Sequence, residues 1–515
     1  MTAAADVPVR HLPPRARRAA PLSAARLLRL ELRRNAVPWI LLLVAALFWF
    51  DSYRPSATTP PIWVLRTFWN MGQGHTIIDF GPFVAGVAAW MGSRDGRRGT
   101  ADLVTATARP RYSAQLATWA ATAVWAVGAY LAFVCVLFGV YAREGVQGSP
   151  PWWWVAVGAA AVTAFSAAGF TIGALYPSRF AAPLAAFGGF LVMTMSSQTG
   201  FSHTSGWALI LPTNSNGNYQ PVSGIFYPYL PDLPIARVMF LTGIAVVALG
   251  LLGLPAGAGG PLLRRGAGAI TLAGVTMAGT AVGLAASARL EPHGMSIPAL
   301  HDAANDRPIA YTPVCGRTAG VPVCLNPAYR SIMADVAAAL RPVLGQVAGL
   351  PGAPGRVIQV GGNYSSTEGE AGQAMTISGD PLVLRMPLDA GDLPGAFGGT
   401  TTQFTDQLRL LFVHAFAGGG NGAGTPAQQA VQAALLQGAG MPFAAQPKAL
   451  SGYGLPSWAL TTDLPGSADG PGPATGPVYA AARRLAALSP AARHAWLASH
   501  LAALRAGRLT LAQLP

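Results

Sequence analysis

Charge is scarce in this chain: only 10% of its 515 residues are Asp, Glu, Lys or Arg. The acids are the rarer sign, 20 against 34 basic residues. So few charges cannot coat a wholly water-soluble protein of this length, and the scarcity fits a membrane protein. Cysteine is scarcer still, at three residues. Cys315 and Cys324 have no second cysteine pair and no nearby histidine, which argues against zinc. Several catalytic signatures are also missing. No GxxxxGK[ST] occurs, so the chain cannot hydrolyse ATP through a P-loop. There is no HExxH; His414, in LFVHAFAG, has neither a neighbouring Glu nor a second His four residues on. No GxSxG elbow is present. The sequence therefore assigns no catalytic residue, no metal site and no directly bound cofactor.

What is abundant is apolar. Hydrophobic residues make up 52% of the chain, with a mean hydropathy of +0.38. The formal charge of +14 is unevenly placed. Residues 1–287 carry 20 basic residues against 8 acids, whereas 288–515 carry 14 against 12. The basicity thus belongs to the apolar half. Its arginines sit in loops flanking apolar runs, where membrane topology explains them better than nucleic acid does.

Residues 1–35 form a basic tail whose prolines oppose helix up to about residue 21. From Ser23, SAARLLRLELRRNA sets Leu27, Leu28 and Leu30 among Arg26, Arg29, Arg33 and Arg34, the pattern of an interfacial amphipathic helix with arginines toward lipid headgroups. Spans are expected near 37–53, 75–92, 114–141, 152–176, 180–197, 236–255 and 267–288. With a cytoplasmic N-terminus, the tail and the loops 93–113, 177–179 and 256–266 hold 16 arginines, against four on the other side. That asymmetry obeys the positive-inside rule. Seven spans then place 289–515 outside the cell.

Asp79, in HTIIDFGPF, is an acid inside an expected span, and both a capping role and a transport role fit it. Pro82 and Pro183 are candidate kinks, and Gly169/Gly173 is a small-xxx-small packing face. Cys135 reads as a small core residue of the third span. The loop 198–235 fits either an interface-hugging re-entrant segment or a lid. Residues 289–515 change character and read as one mixed α/β domain. Helices are expected at 327–344, 401–417, 426–436, 477–488 and 490–506, with strands at 356–360 and 382–386. In an oxidising compartment, Cys315 and Cys324 closing a short Gly/Pro loop invite a disulfide. His293, His301, Asp302 and Asp306 form a loose group that reads as a solvated linker rather than a metal site, and His494 and His500 do not share a helical face.

The segment from Gly92 to Tyr112 is a basic stretch wedged between two apolar ones. Arg94, Arg97, Arg98, Arg109 and Arg111 oppose only Asp95 and Asp102, and Gly99-Thr100 precedes an amphipathic run containing Leu103, Val104 and Ala106. Together with the amphipathic segment before the first span, this stretch resembles the permease subunits of the type-two ABC exporter class, in an actinobacterial-like, Ala/Arg-rich setting. In that family the first cytoplasmic loop is the coupling helix that docks onto the ATPase. The resemblance covers about residues 24–255. Asp95, Gly99, Thr100, Leu103 and Arg109 match the family's motif and are thereby expected to couple to the ATPase. Arg94 and Val104 of the same loop are further coupling candidates, and Thr107-Ala108-Arg109 stands where the family has a Pro-containing turn. The resemblance implies six spans over that stretch. The seventh span and the extracytoplasmic domain depart from the family's minimal pattern, and together they make a polytopic, mainly α membrane protein of about seven spans. It further implies a bacterial plasma membrane, a separate ABC ATPase subunit carrying ATP and Mg, and a homodimer or a heterodimer with a second permease. The rival expectation is a non-transporting membrane protein that displays 289–515 as a binding or sensory module.

Overall fold

The computed structural model describes residues 24–35, 80–99, 110–198, 225–255, 260–291, 294–361, 375–388, 400–418, 424–446 and 476–515, together with 38, 46, 63 and 210–211. The chain is mostly helical, with a small mixed sheet in its C-terminal region. Long runs of Ala, Val, Leu and aromatic residues with few charges produce most helices of the first half, alongside an arginine-rich amphipathic helix and one charged turn. These are α1 (Ala24–Arg34), α2 (Phe80–Gly92), the single turn α3 (Arg94–Arg97), α4 (Arg111–Arg143), α5 (Trp152–Leu175), α6 (Ala181–Gln198), α7 (Asp232–Leu251) and α8 (Pro261–Ala286).

Four of these, α4, α5, α7 and α8, are long and apolar enough to cross a membrane, and α2 and α6 hold shorter apolar segments. The described residues therefore do not reach the expected count of seven. The run near 37–53 lies outside them apart from residues 38 and 46, and so does Asp79. The span expected at 236–255 begins four residues earlier, at Asp232. Asp232 is thus an acid on a long apolar helix, and it is fully buried. Pro183 sits in the first turn of α6, where its missing N–H costs no helical bond, so it is not a kink. Cys135 is exposed on α4 rather than buried in a core.

Small residues set the packing of this half. An added Cβ at Gly169 or Gly173 of α5 would overlap the carbonyl groups of Ala85 and Ala89 on α2, so the two backbones touch where the sequence places its small-xxx-small face. Gly243 of α7 and Gly274 of α8 meet in the same way, each site lying 2.8 Å from the other's carbonyl oxygen. Tyr130, Phe138, Tyr141 and Phe170 form a buried cluster between these helices, and other large side chains point outward. On α6, Leu184, Phe187, Leu191 and Met195 are exposed at helical spacing, with Phe180 just before it, a surface suited to hydrocarbon.

The C-terminal region has a side-chain core. Its sheet runs β3 (Val314–Thr318), β4 (Val321–Leu325), β5 (Arg356–Val360), β7 (Val383–Pro387), β6 (Thr376–Ser378) in spatial order. The outer pairs are antiparallel and the two inner pairs parallel. Helix α9 (Met333–Val347) makes the crossover from β4 to β5. Helices α10 (Thr401–Ala417), α11 (Pro426–Gly438), α12 (Pro477–Ala487) and α13 (Pro490–Arg505) complete the core around Tyr329, Leu340, Phe412, Phe416 and Leu485. The β3–β4 hairpin was not legible as strands. Its register sets Cys315 directly opposite Cys324, and the two form the expected disulfide.

A short hairpin, β1 (Arg289–Glu291) with β2 (Gly294–Ser296), follows α8. The C-terminal core also takes Ile225 and Phe226 from the segment before α7. Ile309 N–H donates to the Phe226 carbonyl at 2.8 Å, and the Phe226 ring meets Tyr311 edge-on. This part of the 198–235 loop packs onto the C-terminal domain. The remainder of the loop lies outside the described residues, apart from Ile210 and Leu211.

Candidate functional site

The basic stretch after α2 is where sequence and structure concentrate unusual chemistry. Ser93 continues the helix, its amide donating to the Ala89 carbonyl at 3.0 Å and its hydroxyl to the Trp90 carbonyl at 3.1 Å. Arg94–Arg97 then make one further turn. Gly99 ends the turn with φ +65°, the left-handed region that glycine adopts without steric cost. Its site is otherwise open, so the backbone and not crowding demands glycine there. Gly96, by contrast, lies against the Pro177 ring, and any side chain would collide with it. The turn between α5 and α6 is thereby fastened to the basic turn.

Arg94 reaches back 63 residues to the amphipathic helix. Its Nη1 and Nη2 donate to the two carboxylate oxygens of Glu31, both at 3.1 Å, and its Nε lies 3.4 Å from Asp95 Oδ1. Burial opposes the guanidinium charge, but the Glu31 and Asp95 carboxylates outweigh it and hold Arg94 above its ordinary pKa. A two-pronged Arg–carboxylate pair fixes orientation as well as distance. Arg97 lies 3.5 Å above the Trp90 ring and donates to the Trp90 carbonyl at 2.9 Å.

Helix α1 is held along its length by α4. Trp125 Nε1 donates to the Leu32 carbonyl at 3.1 Å, and Asn35 donates to Thr122 Oγ1 at 3.2 Å. Leu27, Leu28, Glu31 and Leu32 face inward, while Arg26, Arg29 and Arg33 are exposed. Tyr112, at the start of α4, donates to the Leu249 carbonyl at 3.2 Å, and Gly253 abuts Ala267 of α8. The loops after α2, α5 and α7 therefore gather at one end of the helices with α1 beside them. These are the loops that the sequence places on one side of a membrane.

Of the predicted coupling residues, the structure places Arg94, Asp95 and Gly99 in this cluster. Thr100, Leu103, Val104 and Arg109 lie outside the described residues. Sequence reading missed Glu31 as the partner of Arg94, although a lone acid among four arginines on one amphipathic helix was the available signal. Among the described residues no group of three or more His, Cys, Asp or Glu is arranged to hold a metal ion. His293 is outside the described residues. His494 bonds the Ala348 carbonyl, and His500 stacks on Trp496, so the two serve separate packing contacts.

No family model, curated protein or solved structure matches this chain.

Proposed function

We propose that the chain is the membrane-spanning permease subunit of an ATP-driven ABC export system, coupling a separate ATPase to substrate movement. The observation that carries this reading is the Glu31–Arg94 pair, which joins the amphipathic helix to the basic turn expected to meet the ATPase. In this reading the N-terminus and the basic turn are cytoplasmic, and the runs near 37–53, 75–92 and 180–197 complete seven spans in a bacterial plasma membrane. The C-terminal domain is extracytoplasmic, consistent with its disulfide. Two permease chains, identical or paired with a second permease, assemble with two ATPases that carry ATP and Mg.

The proposed mechanism is mechanical. ATP binding draws the ATPases together and displaces the 94–109 loop that rests on them. Arg94 passes that displacement to α1 through Glu31, and Gly96 passes it to the α5–α6 turn through Pro177. Both arms are stiff, one a two-pronged ion pair and the other a steric contact. The helices behind them then rock as bodies, because their glycine contacts leave no slack.

The test is recovery of a Walker-motif ATPase with the tagged chain from its native membrane in mild detergent. Replacing Leu103 and Val104 together by Asp is expected to lower that recovery more than tenfold, a loss above about 1.4 kcal/mol. Undiminished recovery from the variant sinks the coupling assignment. If the wild-type chain brings down no ATPase, the reading moves to a protein that displays its C-terminal domain.

A further inference from the structure

Where α7 meets the C-terminal domain, three side chains stand in line. Asp232, the first residue of α7, is fully buried, and its Oδ2 accepts the Ile297 N–H at 2.8 Å. The same oxygen lies 3.2 Å from His301 Nδ1. On the other side of the ring, His301 Nε2 lies 3.0 Å from Asp306 Oδ1 and 3.2 Å from its Oδ2. The second oxygen of Asp232 is buried without a hydrogen-bond partner. Exposure rises along the chain: the side chains are 0% exposed at Asp232, 18% at His301 and 45% at Asp306. The line thus runs from bulk solvent to the end of an apolar helix.

This is not a metal cage. The two imidazole nitrogens point to different carboxylates, so the three groups do not converge on a point. Nor is it the solvated linker that the sequence suggests for His301 and Asp306. A neutral imidazole carries one N–H and one lone pair. With a neutral ring, one of the two contacts would set a nitrogen lone pair against a carboxylate oxygen. With both carboxylates ionised, both contacts are attractive only when the ring carries two protons, and a buried carboxylate needs such a compensating charge.

We propose that Asp232, His301 and Asp306 form a proton-binding site in which one bound proton latches the start of the C-terminal domain to α7. With the proton bound, the imidazolium donates to both carboxylates and ties the short turn at 303–306 to the helix. When the proton leaves, the ring keeps its remaining N–H for the buried Asp232, which water cannot serve. The Asp306 contact is then released to solvent. The bond to Asp232 weakens with the loss of charge, and the Ile297 amide next to it loosens.

Other charged groups nearby are engaged elsewhere. Glu291 of β1 meets the Ser296 hydroxyl at 3.5 Å, Asp302 accepts the Ala304 amide at 2.9 Å, and Arg237 of α7 interacts electrostatically with Tyr229. Asp306 first, and then Asp232, hold the His301 imidazolium above its ordinary value of 6.5 against the opposing effect of desolvation. The sign follows from linkage. A group with a raised folded pKa contributes in full below its unfolded value and loses that contribution as pH rises through the folded one. The latch therefore contributes in full below 6.5, while the carboxylates stay ionised, and slackens as pH rises through the raised His301 value. The site stands whether or not the chain is a transporter.

The test uses the full chain in lipid nanodiscs with ring-labelled histidine, the His301 signal being identified by its loss in His301→Gln. His301 is expected to titrate above 6.5. Replacing Asp306 by Asn, an exposed change that spares the buried end, is expected to move that titration downward. Hydrogen exchange over residues 294–300, corrected for its intrinsic pH dependence, should speed up about tenfold across the titration in the wild type. In His301→Gln that pH response should vanish. Titration at or below the ordinary value, an Asp306→Asn variant that titrates like the wild type, or exchange that ignores pH would each overturn the proposal. Should His301→Gln fail to fold, the signal is assigned through its shift in Asp306→Asn. The proposal then rests on the wild-type and Asp306→Asn measurements.

Discussion

The two halves of this chain hold their helices by different means. In the apolar half, the N-caps of α4, α5, α7 and α8 are Pro110, Pro151, Pro231 and Gly260, and none makes a side-chain cap. In the C-terminal half, Thr400, Thr425 and Ser489 each accept an amide at the start of a helix, and Asn326 and Asp302 do so for short turns. The cores differ as well. Both halves bury large side chains, but in the first half backbone also meets backbone over Gly169, Gly173, Gly243 and Gly274 between its long helices, whereas the second relies on its interlocked side chains. The contrast matches the two solvents. In hydrocarbon an apolar surface gains nothing by hiding from its surroundings, so close contact of small residues must hold helices together. In water the burial of large side chains drives folding, and each frayed helix end competes with solvent for its hydrogen bonds.

The sharpest break of this comparison is Gly173→Leu. A leucine there must displace the Ala89 backbone of α2, which no rotamer change can avoid. Overfilling of this kind costs about 3 kcal/mol, because the obstacle is main chain rather than a flexible tip. The apolar half should lose its cooperative thermal transition in detergent while the C-terminal transition stays in place. Gly128, on α4, has open space around it. Gly128→Ala should therefore be harmless or stabilise by about 0.5–1 kcal/mol. Equal tolerance at the two glycines would mean that close backbone contact does not hold this half.

The second half breaks through a buried polar side chain. Gln359 lies on β5, the middle strand of the sheet, and is 2% exposed. Its Oε1 accepts the Asn326 amide at 2.8 Å and its Nε2 donates to the Leu388 carbonyl at 2.7 Å. Gln359→Leu keeps the bulk and leaves both backbone groups unserved, for a loss of about 2 kcal/mol. Chemical denaturation followed by a probe in this domain should show it, with the helices of the first half unmoved. An unchanged midpoint would mean that water reaches these groups.

Legibility in the sequence followed the same division. Apolar runs announced α4, α5, α6 and α8 because an unbroken hydrophobic stretch of that length has few other uses. The Gly169/Gly173 face was readable for a similar reason, since two small residues one turn apart mark a surface without naming its partner. Helices α10 to α13 were found from their periodicity to within about two residues. The β3–β4 hairpin escaped because its five-residue strands are interrupted by Gly316 and Pro322, which read as loop. The Glu31–Arg94 pair and the Asp232–His301–Asp306 line escaped for a deeper reason. Each joins residues more than 60 positions apart, and no local pattern encodes such a meeting. Asp232 was also hidden by the late start expected for its helix.

The finest test of the comparison is Thr425→Ala. Thr425 Oγ1 accepts the Gln428 amide at 3.3 Å, and the Gln428 side chain accepts the Thr425 amide at 2.7 Å, closing a reciprocal cap on α11. Gln428 also donates to the Leu504 carbonyl at 2.9 Å, so replacing it would mix loss of the cap with loss of the α11–α13 tie. Removing the threonine hydroxyl isolates the cap, and a loss of about 1 kcal/mol is expected by thermal unfolding of the C-terminal domain. Thr425→Ser should restore most of it. The matching change in the apolar half, Pro110→Ala before α4, removes no side-chain cap and should leave that half's transition unmoved. If alanine were neutral at both ends, the C-terminal helices would owe their starts to packing alone, and the two halves would differ only in what surrounds them.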